Sequence, residues 1–127
     1  MAATAQYAST ARSALGQVTT ANTNRDGTGT IATIFSAGTS GSRIDQIEVE
    51  AVGTTTAGMV RLFLHDGTNA RLWREVPVSA VTPSGTVSAF YARLSNLSLI
   101  LPSGYSLRAA TNNAETFNVN VTQAGDF

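Results

Sequence analysis

The chain contains no cysteine, so neither a disulfide frame nor a thiolate metal site is open to it, and stability has to come from packing or assembly. Lysine is also missing. All eight cations are arginine, which favours planar, bidentate carboxylate contacts and stacking, although a codon preference explains the same bias. Charged residues amount to 13%, about half the usual share, and Thr, Ser, Gly and Ala fill the difference. The surface is therefore expected to be neutral and polar. Eight arginines cancel eight acids, which removes any global electrostatic drive toward nucleic acid or an anionic membrane. No uninterrupted apolar run approaches the ~18 residues that span a bilayer. The start, "MAATAQYASTARSALGQV", lacks the basic-then-apolar layout of a signal peptide. The expectation is a soluble, unexported chain with neither nucleic acid nor membrane as partner.

What is present is period-two alternation broken by turn signals, in a length of 127 residues that fits one domain. Ile31, Thr33 and Phe35 share one face of a first strand, which "SAGTSGS" ends. Ile47, Val49 and Ala51 alternate with Gln46, Glu48 and Glu50, the pattern of a strand with one buried and one wet face. "MVRLFLHDGTNARLWREVPV" holds two alternating runs around Asp66-Gly67, a strong hairpin signal. Val60, Leu62 and Leu64 point one way, and Arg61, Phe63 and His65 the other. Both faces of this hairpin carry large apolar groups, one for the core and the other for a neighbour. Pro77 lacks an amide hydrogen, which assigns its strand to a sheet edge or a bulge. Further strands follow through Phe90, Ala92 and Leu94, through "LSLIL" and "YSLRAAT" around a Pro102–Gly104 turn, and through Phe117, Val119 and Val121. About eight strands without an amphipathic helix predict an all-β fold, an antiparallel β-sandwich with jelly-roll-like or Greek-key connections over residues 30–127.

Residues 1–29 differ. "TTANTNRDGTGT" has no large apolar side chain. Tyr7, Ala11, Leu15 and Val18 fall near helical spacing, but the Ser and Thr content favours an extended arm over a short helix. Such a segment cannot fold alone, so it is expected either to stay mobile or to lie on another chain.

No motif carries chemistry. "GTGTIA" at 27–32 fits a dinucleotide fingerprint in letters, yet a polar arm precedes it and a β-branched strand follows, where phosphate binding needs a strand before and a helix after. Glycine as turn punctuation is the better reading. His65 beside Asp66 suggests half of a hydrolytic triad, but no nucleophile elbow G-x-S-x-G occurs. Asp45, Glu48 and Glu50 lack the loop spacing of a calcium site. No catalytic, metal or cofactor-binding residue is assigned. Trp73, Tyr91 and Tyr105 raise the alternative of a sugar platform, while a single Trp in a hairpin is more often core or interface.

The segments "TANTNRDGTGTI", "AGMVRLFLHDGTNARLWREV", "TPSGTV" and "LILPSGYSLRAATNNAETFNV" together resemble small virion proteins of tailed bacteriophages and prophages, the short β-sandwich chains that decorate or cement capsids. The resemblance covers about residues 19–127. It implies a non-enzymatic structural protein on the capsid surface, made in the host cytoplasm, whose partners are the major capsid protein and further copies of itself as a homodimer or homotrimer. A tail, baseplate or fibre component is the alternative within that class, and a carbohydrate-binding module the alternative outside it. Tyr7, Leu15 and Arg25 on the arm, with Phe63, Arg71, Trp73 and Arg74 on the hairpin, are the candidate interface residues.

Overall fold

Alternation of apolar and polar residues yields nine strands and, among the described residues, no helix; the computed structural model describes residues 8–127. The strands are β1 (Thr10–Val18), β2 (Ala32–Ser36), β3 (Ser42–Ala51), β4 (Gly58–His65), β5 (Ala70–Val78), β6 (Tyr91–Leu94), β7 (Leu99–Leu101), β8 (Ser106–Thr111) and β9 (Phe117–Asp126). Every pairing between these strands is antiparallel. One sheet runs β1-β9-β3-β6 with β7 also on β3, and the other runs β2-β8-β4-β5. β7 and β6 occupy successive stretches of β3, at Ser42–Ile44 and Ile47–Glu50, so they act as one interrupted strand. The interruption is where Asn96 and Ser98 take positive φ and the Leu97 N–H bonds the Asp45 carbonyl. Counted that way, first pairs with last, second with second-last, and so inward to the β4–β5 hairpin. This is the wrapped double Greek key of a jelly roll.

The core forms where the inward faces meet. Ile47 and Val49 of β3, Phe117, Val119 and Val121 of β9, Val60 and Leu62 of β4, and Leu107 and Ala109 of β8 are buried against one another. Phe90 meets Phe117 edge to face at 6.3 Å, a favoured aromatic geometry. β5 is an edge strand, as Pro77 requires. At the hairpin tip Gly67 takes φ +96°, a conformation that glycine adopts without steric cost.

Three expectations need correction. First, the register of β2 on β8 passes from Thr33↔Arg108 to Phe35↔Leu107. Ile34 is thus an extra residue that bulges the strand, so Ile34 and Phe35 both enter the core while Thr33 is exposed. Second, the sandwich does not begin at residue 30: Thr10–Val18 is a strand along β9, from Thr10↔Asp126 to Val18↔Phe117. Its alternation is inward at Ala14, Gly16 and Val18 and outward at Ser13, Leu15 and Gln17, and Ala14 and Gly16 fit beneath the opposite sheet because they are small. Third, the polar stretch lies on its own chain. The Asn22 N–H bonds the Thr111 carbonyl, and the Asn22 amide donates to the carbonyls of Thr28 (2.9 Å) and Thr30 (3.0 Å). Asp26 accepts from the Thr28 N–H and hydroxyl. Its many Asn, Asp and Thr residues are the internal bonding of a loop that has no core of its own.

Candidate interaction surface

Where each side chain faces decides what the sandwich offers to a partner. The outer face of the second sheet is partly closed by the chain itself. Phe63 is fully buried, yet it stands outside the central cluster, and Ala110 likewise. Above them lies loop 19–31, anchored by Arg61, whose guanidinium donates to the Asn22 carbonyl (3.3 Å), to Asn112 Oδ1 (3.2 Å) and to Glu75 Oε2 (3.0 Å). Arg25 of the loop donates to the same Glu75 oxygen at 2.8 Å. Arg25 foremost, with Arg61, holds the Glu75 carboxyl below its ordinary value. Phe63 as an interface residue is therefore corrected: the neighbour its face required is the chain's own loop.

The outer face of the first sheet is open. Registers across four strands set two adjacent rows upon it. One runs Leu15, Asn120, Glu48, Arg93, and the other Gln17, Asn118, Glu50, Tyr91. Gln17 donates to Asn118 Oδ1 at 2.9 Å, and Gln46 to the Thr122 hydroxyl at 2.9 Å, so bonds between neighbouring strands order three of the amides. Leu15 is 84% exposed and Tyr91 49%. Partial burial, then a hydrogen bond to Glu48, raises the Tyr91 phenol above its ordinary value. A shallow open depression of about 390 Å³ lies among Leu15, Gly16, Gln17, Asn118 and Asn120. Beyond it, Ile100 is exposed beside Arg43 on the same sheet. The result is a broad face of amides interspersed with charges of both signs and isolated apolar groups, suited to extended contact with a flat partner.

The candidate interface residues do not converge. Leu15 stands on the edge strand of the first sheet. Arg71, Trp73 and Arg74 stand on β5, at the edge of the second. Trp73 is half-buried against the core, with the Arg74 guanidinium 4.7 Å above its ring, so it is not an open sugar platform. Arg25 is committed to Glu75. Tyr7 lies outside the described residues. Asn118, Asn120, Gln17 and Gln46 were missed, because uncharged amides on a wet face carry no motif. Their alternation with Phe117, Val119 and Val121 was the available signal.

Other sequence features resolve as turn chemistry. The Gly67 N–H donates to His65 Nδ1 at 3.0 Å, and the Asp66 carboxylate accepts from the N–H groups of Asn69 and Thr68, which hold it below its ordinary value. His65 and Asp66 thus hold the hairpin loop rather than each other. Gly27 and Gly29 take positive φ within the loop, and strand β2 follows. Among the described residues no group of acids and histidine is arranged to hold a metal ion. No known family model matches the chain, and no curated protein does.

Proposed function

We propose that the protein is a structural component of a tailed-phage virion, a decoration or cement protein that binds the outer shell of the head and bridges neighbouring capsid subunits. The observation that carries this reading is the open face of the first sheet: amides of β1, β9 and β3 in register with Glu48, Glu50 and Arg93, and exposed Leu15 and Tyr91. Such a face suits a large, flat protein surface contacted through many modest hydrogen bonds and a few apolar anchors. Jelly rolls serve many functions, viral shells among them, so the fold permits this role without requiring it. The sequence resemblance adds the identity of the partner, the major capsid protein.

The test is cosedimentation of the purified chain with heads of the encoding phage prepared without it. Saturable binding should be lost when the face is altered by Asn118→Arg with Asn120→Arg, and retained when Arg71→Ala alters the opposite edge. Absence of binding by the unaltered chain rejects the reading.

One observation favours a second reading, a carbohydrate-binding module. Tyr91 presents a half-exposed ring near Glu50 and Asn118, a pairing of aromatic surface with hydrogen-bonding groups. Glycan retention that Tyr91→Ala abolishes, without head binding, would favour it.

A further inference from the structure

The two sheets have four edges, β1 and the interrupted β6–β7 in the first and β2 and β5 in the second. A free edge presents unpaired N–H and C=O groups that template pairing with another chain, and proteins blunt such edges by shortness, by charge, by proline or by cover. Three of the four are blunted here. β2 has five residues and β6 has four. β5 has nine residues but carries Pro77 together with exposed Arg71, Arg74 and Glu75.

β1 is the exception. It has nine residues, "TARSALGQV", with no proline, no lysine and no acid. Its single charge, Arg12, is turned back on its own chain: the guanidinium donates to the Ser36 carbonyl at 2.8 Å and to Asp126 at 3.0 Å, and lies 4.1 Å over the Phe35 ring. The bulge in the β1–β9 ladder sets Ser13 against Thr122 and Gln123, so the extra residue belongs to β9 and β1 stays regular. Among the described residues, no backbone group of Thr10–Val18 bonds to a strand other than β9. The strand is about 31 Å long at the usual rise.

The same edge is self-complementary. Leu15 projects from the middle of β1, and the open depression beside it is lined by Gly16, Gln17, Asn118 and Asn120. A two-fold axis at Leu15 would set each Leu15 beside the other copy's depression. It would also place Ala14 opposite Gly16, Ser13 opposite Gln17 and Arg12 opposite Val18 of the second copy, so that no like charges meet across the axis. A two-fold contact requires that one patch match itself in this way.

We propose that the protein self-associates through β1: two copies pair antiparallel about an axis at Leu15, joining their five-stranded sheets into one ten-stranded sheet with a doubled amide face. This pairing does not depend on the identity of the surface that the face contacts. The dimer is tested by sedimentation velocity at concentrations up to about 100 μM, where an interface at the low end of the size range closes. The unaltered chain should sediment as a dimer. Leu15→Lys, which sets two like charges together on the axis, should sediment as a monomer with an unchanged thermal transition in dilute solution. Val52→Lys, an exposed apolar position outside the strands, should leave the dimer intact. A monomer throughout the range, a trimer, or a dimer that Leu15→Lys leaves untouched would overturn the proposal.

Discussion

Arg61 Nε stands 3.0 Å from Glu75 Oε2, and the two are direct partners across β4 and β5. Arg61 is 3% exposed, so its charge depends on this carboxylate and on two neutral oxygens. Glu75→Ala leaves a buried guanidinium without its counter-charge and frees Arg25 from the sheet. The expected loss is about 2–3 kcal/mol of folding stability, the range for a hydrogen bond to a charged group. Urea unfolding should show this together with faster amide exchange in residues 19–31. Unchanged exchange there would mean that the loop is held by other contacts.

Phe63 and Leu15 were equivalent interface candidates by sequence and are opposites in the fold. Phe63→Ala empties a closed site and should cost about 3–5 kcal/mol. Leu15→Ser, measured in dilute solution, should stay within about 0.5 kcal/mol of the parent. Similar losses in the two variants, read by chemical denaturation, would contradict the placement of one of them.

Gly16 faces Ile34 across the sandwich, and a Cβ on Gly16 would collide with the end of the Ile34 side chain and meet the Val119 carbonyl oxygen at 3.1 Å. The branched Gly16→Val cannot be absorbed by one rotamer change in Ile34. It should destabilise by about 1–3 kcal/mol, the usual cost of overpacking. Shortening the obstacle with Ile34→Ala in the same chain should give a double variant less unstable than the sum of the singles.

Acid should weaken the fold through four carboxylates, Asp26, Asp66, Glu75 and Asp126, of which the last two join separate elements. The Ser42 hydroxyl and then Arg12 hold Asp126 below its ordinary value, and Glu75 is lowered chiefly by Arg25. A carboxyl with a depressed folded-state pKa contributes stability that is complete above its unfolded value of about 4 and is lost as pH falls through the folded value. The melting temperature should therefore drop between about pH 5 and about pH 2. Asp126→Asn should start lower at neutral pH and fall less. An equal fall in both proteins would assign the acid response elsewhere.

Much of the fold was legible because alternation at 46–51 and 117–121 encodes inward and outward faces directly, and burial follows it, whereas at 60–63 both faces are buried. Pro77 likewise located an edge. Bulges were not legible: Ile34 departs from period two by one residue, and only its β8 partner shows which residue is extra. β1 was misread because its central inward positions are Ala14 and Gly16, whose smallness fits the close approach of Ile34 but leaves a weak hydrophobic signal. The cover over Phe63 was hidden for a related reason. A loop that satisfies itself through Asn22 and Asp26 looks, as a string of letters, like a segment in need of a partner. The open face had an alternating pattern but no chemistry to mark it, so its amide rows emerged only from the strand register.

Placement in the virion is the central claim, and copy number tests it most directly. Virus particles from the source of this sequence would be separated into heads and tails, and this chain quantified by mass spectrometry against the major capsid protein. Many copies in the head fraction, in a simple ratio to the capsid protein, is the predicted result. Absence from heads, or a few copies confined to tails, would contradict it.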